Sequence, residues 1–468
     1  MNGSRGAGST LSTSITRDVR VFSATAILGY GYPAESLEAG LAADPDVLAV
    51  DAGSTDAGPY YLGSGRSFTS ATAVRRDLLP LASAAIERAI PLIIGSAGGA
   101  GADAHLEWCY EILASALRER GIGARVALVH AEQDREVLRP ELRAGRINPL
   151  GPVPPLTEHD LDRSVRIVAQ MGTEPIQKAL ESGAQIILAG RSCDVSPFAA
   201  VPILHGCDPG LSMHAAKILE CGAYCAEPAG ASDSMIAELN SDDFVLRALN
   251  PMRRVSSTSA AAHSLYEQGH PSMIVEPAGS VDVEGCRFDE QPDGSVRVSG
   301  SQFIPTQQYT VKLEGAALVG YRAVSIGGVR DRRAIEHIDA SVEAARRLLA
   351  DAVGPPGHPH NYVLTHRVYG RDGVMGHQEP WQGKPSHEVG LLFDVIADTQ
   401  ELANDLCALA RSTILHHDYP DRLTVGGSLA LPFSPHDAAW GPVYEFSLYH
   451  LWQIDDPLMP FPIEEREI

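Results

Sequence analysis

Four polar or glycine-rich segments carry the groups with which this 468-residue chain could do chemistry. They are Asp51-Ala52-Gly53-Ser54-Thr55-Asp56, Gly95-Ser96-Ala97-Gly98-Gly99-Ala100-Gly101, His130, and Gly190-Arg191-Ser192-Cys193-Asp194. Asp51, Asp56 and Asp194 are candidate general acids and bases, with His130 as a fourth. The planar guanidinium of Arg191 suits two-point capture of a carboxylate or phosphate. Ser54, Thr55 and Ser96 could orient a substrate through hydrogen bonds. Gly98 and Gly99 leave backbone amides open to an anion, next to a helix start near Asp103. Each group also has a plainer reading as a helix cap, a packing turn or a structural ion pair. The functional case therefore rests on their meeting in one place.

Other chemistries find little support. Gly99-Ala100-Gly101-Ala102-Asp103-Ala104 matches G-x-G-x-x-A, but it follows the third strand. It also lacks a well-placed acid about 20 residues on to hold a ribose. No G-x-x-x-x-G-K-[ST] phosphate loop and no G-x-S-x-G nucleophile elbow occurs. Cys193, beside Arg191, could be an activated thiol, although buried cysteines are commonly inert. His416-His417-Asp418, His358 with His360, and Cys221 with Cys225 lack the further ligands that zinc requires. The expected site holds no metal and no cofactor, apart from CoA as part of a substrate.

Each segment follows a short aliphatic run, at 19–24, 47–51, 91–95, 125–130 and 185–189; the run at 19–24 comes before them all. Near-continuous apolar character is what a parallel strand covered on both faces needs. Between the runs lie amphipathic stretches. The clearest runs from Asp103, read as an N-cap, to Gly121, with Leu106, Cys109, Tyr110, Leu113 and Leu117 on one face. This alternation predicts a doubly wound, mostly parallel α/β sheet over 18–260, and ligands bind beyond the carboxyl ends of such strands. Over 261–468 the pattern predicts an α+β domain. Its elements are short strands over 273–328 with a Gln-Pro-Asp-Gly turn at 291–294, a helix at 333–352, and strands at 361–369 and 388–397. A helix at 399–417 and strands at 427–432 and 443–451 complete it. Residues 1–17, rich in Gly, Ser and Thr, read as a flexible tail without the apolar stretch of a secretion signal.

Composition bounds the partners. Lys and Arg number 37 against 59 Asp and Glu, a formal charge of −22, so neither a nucleic acid nor an anionic membrane surface is an expected partner. Seven Cys without a regular framework fit a reducing compartment, and the expected location is cytoplasmic.

Several segments together resemble the acyclic terpene utilisation family typified by AtuA. They include Leu48 to Asp56, Gly95 to Gly99, Leu188 to Asp194 and Ile218-Leu219-Glu220-Cys221-Gly222-Ala223. Gly320-Tyr321-Arg322, Ile326 to Asp331 and Thr424 to Asp437 continue the likeness, which covers about 18–455 in a consistent order. The chain departs from it at Thr424-Val425-Gly426-Gly427, where the family reads Thr-Ala-Gly-Asn. The resemblance implies a role in breaking down citronellol- and geraniol-type compounds through branched acyl-CoA intermediates. A homo-oligomer is expected, and the resemblance adds a small companion subunit as a further partner.

The expected function is a lyase- or hydratase-type enzyme acting on a small or branched carboxylic acid or its CoA thioester. Arg191 and the amides of 95–101 would hold the anionic group, and one of the aspartates would move the proton. Two alternatives stand beside it: a non-catalytic ligand-binding subunit of a complex, and a nucleotide-dependent enzyme using the loop 95–101.

Overall fold

The computed structural model describes residues 18–53, 58–357, 360–381, 383, 386–423 and 425–468. The chain forms two compact units, one reaching to Ala316 and resuming at Phe446–Ile468, the other comprising Ala317–Glu445. The division falls elsewhere than the 260/261 boundary expected from sequence. The reason is that Arg287–Glu290 and Val296–Ser299 extend the main sheet of the first unit rather than starting a second domain. The tail 1–17 lies outside the described residues.

In the first unit, five strands form the centre of a sheet: β1 (Val19–Ser23), β2 (Val47–Asp51), β3 (Leu92–Gly95), β4 (Arg125–Val129) and β5 (Ile186–Ala189). They lie in the order β1-β2-β3-β5-β4, and every adjacent pair is parallel. Both edges of this core are extended by antiparallel strands. Met235–Leu239, Asp243–Ala248, Val296–Ser299 and Arg287–Glu290 follow beyond β1, and Ile463–Glu467 pairs with β4. The fold is thus the expected α/β class, with a mostly parallel centre and antiparallel flanks.

Period-two geometry explains the apolar runs, because successive side chains of a strand point to opposite faces. Val47, Ala49, Ile93, Ile187 and Ala189 enter one hydrophobic core, with residues of helices Glu174–Glu181, Ser196–Leu204 and Pro209–Leu219. Leu48, Val50, Leu92, Ile94, Ile186 and Leu188 enter the other, with residues of helices Ala71–Arg88 and Asp103–Arg118. All eleven of these strand side chains are fully buried, and truncating one of the leucines or isoleucines to Ala would cost about 2–5 kcal/mol.

Several local expectations shift. Helix Asp103–Arg118 is capped by Ala102, not by Asp103, whose carboxylate instead takes the His130 ring; Gly121, at φ +66°, ends that segment as expected. The 291–294 turn closes the hairpin of Arg287–Glu290 with Val296–Ser299, and Gly294 adopts φ +81° there. Strands at Ile147–Pro149, Ser164–Gln170 and Asp243–Ala248 were not anticipated.

The second unit is α+β. Tyr362–Tyr369 and the Tyr321–Val329 stretch both pair antiparallel with Val389–Ala397. Ile338, Val342, Ala345 and Leu349 of one helix and Ala403, Leu406, Cys407 and Ala410 of another share a core with these strands. The helix expected at 333–352 is two, Arg332–Glu336 and Ile338–Val353. The strand expected at 427–432 reduces to a single bridge between Gly328 and Ala430. Among the described residues no helix is long and apolar enough to cross a membrane.

Candidate functional site

Asp51 ends β2, and the alternation places it on the same face as Val47 and Ala49, toward helices Ser196–Leu204 and Pro209–Leu219. The segment after β5 brings Arg191 and Asp194, and Lys217 and Glu220 stand at the end of Pro209–Leu219. These groups line one cavity of about 490 Å³ together with Tyr30, Gly53, Glu267, Lys312 and others, all in the first unit. The carboxyl ends of a parallel sheet thus meet in a polar basin. Tyr30, Tyr224, Tyr266 and Tyr449 line it too, each 38–47% exposed. Half-exposed aromatic rings around a charged floor suit a ligand with one apolar and one polar end.

Charge is arranged unevenly. Glu314 accepts from Arg191 Nε at 3.0 Å and lies 2.7 Å from Lys312 Nζ. Arg191 also donates to Ser96 Oγ at 3.3 Å. Burial alone would raise the Glu314 pKa, but Arg191 and Lys312 bring it down to about 2. Burial opposes the charge on Arg191, yet Glu314 and then Asp194 hold its pKa above the ordinary value. Lys217 donates to Glu220 Oε1 at 2.7 Å, one helical turn away. Burial raises Glu220 to about 7 against the pull of Lys217. Asp51, 3% exposed, is pushed well up by burial and then by Asp194, with Arg191 opposing; its Oδ1 has no hydrogen-bond partner among the described residues. Glu267 reaches the cavity from a left-handed backbone at φ +59°.

Of the residues singled out from sequence, Asp51, Asp194 and Arg191 line the cavity. Arg191 is not a free clamp, since its fork is taken by Glu314 and Ser96. Ser96, Gly98 and Gly99 are not among the residues that line the cavity, and several amides of their loop are already used. The amides of Ser96, Ala97 and Gly99 are already donated to Ser192 Oγ, Ala189 O and Ser96 O. The glycines serve close packing: a Cβ on Gly98 would meet the His105 carbonyl oxygen at 2.4 Å, and one on Gly101 the Arg191 nitrogen at 2.1 Å. His130 lies elsewhere, between Asp103 (2.8 Å) and Glu464 (3.5 Å); its bond to Asp103 raises its pKa. Cys193 is no activated thiol, because burial, then Glu276 and Asp194, push it well up. Ser54, Thr55 and Asp56 lie outside the described residues.

Sequence reasoning missed Lys217, Glu220, Glu267, Lys312 and Glu314. One signal was legible: Lys217 with Glu220, three residues apart, interrupts a helix whose residues from Gly210 to Leu219 are otherwise uncharged and all buried. Buried charges of that kind are rarely kept unless paired or used.

No curated protein and no solved structure matches the chain. Residues 70–417 match the description "Acyclic terpene utilisation family protein AtuA", nearly three quarters of the sequence; of the cavity residues, Arg191, Asp194, Lys217, Glu220 and Lys312 fall within that span, while Tyr30, Asp51 and Tyr449 fall outside it. The chain belongs to the acyclic terpene utilisation family.

Proposed function

We propose that this protein is an acid–base enzyme of the lyase or hydratase type, working in the cytoplasm on a small or branched carboxylic acid or its CoA thioester. The observation that carries this reading is Asp51: a buried carboxylate at a parallel strand end, lining a cavity, with one oxygen unpartnered among the described residues. Burial raises the affinity of this carboxylate for a proton, which suits a group that takes one from a substrate carbon. Arg191 and Lys312 share the single carboxylate of Glu314, and the positive charge left over on that side of the cavity attracts the anionic end. The step common to lyases and hydratases here is proton transfer at the carbon next to an acyl carbonyl. The C–H bond breaks, its proton passes to Asp51, and the electron pair moves toward the acyl oxygen. The tyrosine rim gives a branched hydrocarbon chain an amphipathic wall.

The test is solvent deuterium exchange into a panel of short and branched acids and acyl-CoA thioesters. The full chain is expected to exchange the α-proton of at least one of them. Asp51→Asn, with unchanged circular dichroism, is expected to lose about 10²–10⁴-fold of that rate. A folded Asp51→Asn protein at full rate would remove Asp51 from the reaction. Saturable binding without exchange would favour the non-catalytic binding subunit instead.

A further inference from the structure

Glu220, Cys221 and His263 meet where helix Pro209–Leu219 ends. Glu220 closes that helix, Cys221 follows it, and His263 comes from the last turn of helix Ser257–Ser264. A Glu220 carboxylate oxygen, the Cys221 sulfur and a His263 ring nitrogen lie within 4.8 Å of one another. Glu220 and Cys221 also line the cavity. The pairing suggested by sequence, Cys221 with Cys225, is not the one the fold makes: Cys225 is buried, its sulfur 3.9 Å from that of Met235.

The state of His263 is a second, separate observation. The residue is 6% exposed, and its Nε2 has no hydrogen-bond partner among the described residues. The ring is held by its face instead, with Tyr266 stacked on it at 5.2 Å and 11° and Tyr224 at 6.3 Å. Burial, then the charge of Lys217, push its pKa down to about 4, so the imidazole is neutral and offers a lone pair, as a metal requires. A buried polar atom left unpaired costs about 1–3 kcal/mol, which coordination of the ring would recover.

The donor set selects the ion. Carboxylate, thiolate and imidazole together suit zinc, whereas the hard ions take oxygen alone. Around tetrahedral zinc such ligand atoms stand roughly 3.3–3.8 Å apart, so the trio must close by about 1 Å. Three protein ligands leave a fourth position open, and two of the three line the cavity. Lys217 donates to Glu220 Oε1 at 2.7 Å and leaves the other oxygen. Its ammonium opposes a dication, but Asp194 and Glu267, with ligand atoms within 4.8 Å of that of Glu220, favour one. Burial, then Glu220, hold the Cys221 thiol far above its ordinary pKa, so binding must displace the thiol proton.

We infer that Glu220, Cys221 and His263 form a binding site for one zinc ion. The site shares the cavity with the reaction proposed above, but its test needs no substrate. The full chain, kept reduced, is stripped with a chelator, dialysed and titrated with Co²⁺ as an optical stand-in for zinc. One Co²⁺ is expected to bind per chain, with the near-ultraviolet band of a thiolate–cobalt bond and release of a proton, and to be displaced by Zn²⁺. Cys221→Ser is expected to lose the band, and His263→Gln to weaken binding by an order of magnitude or more. Circular dichroism checks both folds. Cys286→Ser, which removes the thiol 3.8 Å from His214 Nδ1, is expected to change neither property. In the unaltered protein, Zn²⁺ is expected to protect Cys221 from iodoacetamide, as located by mass spectrometry. No saturable binding at millimolar Co²⁺, a thiolate band that survives Cys221→Ser, or an unprotected Cys221 in zinc-treated protein would overturn the site. Zinc binding without α-proton exchange would uphold the site while removing the proposed reaction.

Discussion

Two sides of one cavity handle buried charge in opposite ways. On one side Arg191, Glu314 and Lys312 close on each other: Glu314 is 5% exposed, yet both its cationic neighbours lie within 3.0 Å. On the other side, of Asp51, Asp194, Glu220 and Glu267, it is Glu220 that pairs with the Lys217 ammonium, while Arg191 acts on Asp51 and Asp194 without an ion pair to either. The first side is complete as it stands, and removing a member leaves an uncompensated buried charge. The second is incomplete, and incompleteness of that kind belongs to sites that take up protons, substrates or ions. The comparison separates what holds the cavity's shape from what acts in it.

The largest expected effect breaks the closed side. Glu314→Leu leaves Arg191 and Lys312 without their carboxylate and is expected to cost about 3–5 kcal/mol, read from urea unfolding. Its pH dependence sharpens the point. The folded pKa of about 2 lies below the ordinary 4.5, so the contribution of Glu314 is fully present above about pH 4.5 and lost as pH falls toward 2. The stability gap between wild type and Glu314→Leu should therefore be wide at pH 6 and narrow toward pH 2.5. A gap independent of pH would mean that packing, not charge, sets the value of Glu314.

A smaller effect tests how tightly the two sides are joined. A Cβ on Gly53 would meet Ser96 Cβ at 2.5 Å and the Arg191 guanidinium at 2.8 Å. Gly53→Ala is expected to cost about 1–3 kcal/mol and to shift Arg191, with the thermal midpoint as the readout. An unchanged midpoint would show that the strand ends are looser than these distances imply. The smallest effect on stability falls on the open side. Glu267→Gln should move stability by no more than about 0.5 kcal/mol, read from the thermal midpoint. A large loss of stability there would place Glu267 among the structural charges instead.

The five central strands were legible because each residue of β2, β3 and β5 up to the polar ends meets one of two apolar cores, which leaves an unbroken hydrophobic run. The antiparallel flanks were harder to see. Ile463–Glu467 reads Ile-Glu-Glu-Arg-Glu, since an edge strand needs backbone partners but little apolar surface; its order depends on β4, more than 330 positions earlier. The loop 95–101 misled for a different reason. Glycine marks any close approach of backbone, and here the approach is to His105 and Arg191 rather than to a ligand. Asp51, Asp194 and Arg191 were found because strand ends could be located; Lys312 and Glu314 were not, because they come from the strand Thr310–Val329, outside the parallel core.

The order of residues determined which segments become parallel strands and that polar groups crowd their carboxyl ends, because apolar periodicity is a local property. Only the tertiary structure decided which charges cancel. Arg191 and Glu314 are 123 positions apart, and no spacing rule relates them. The attraction between two charges depends on their separation in space and on the water excluded between them, and both quantities exist only once the chain has closed around the cavity.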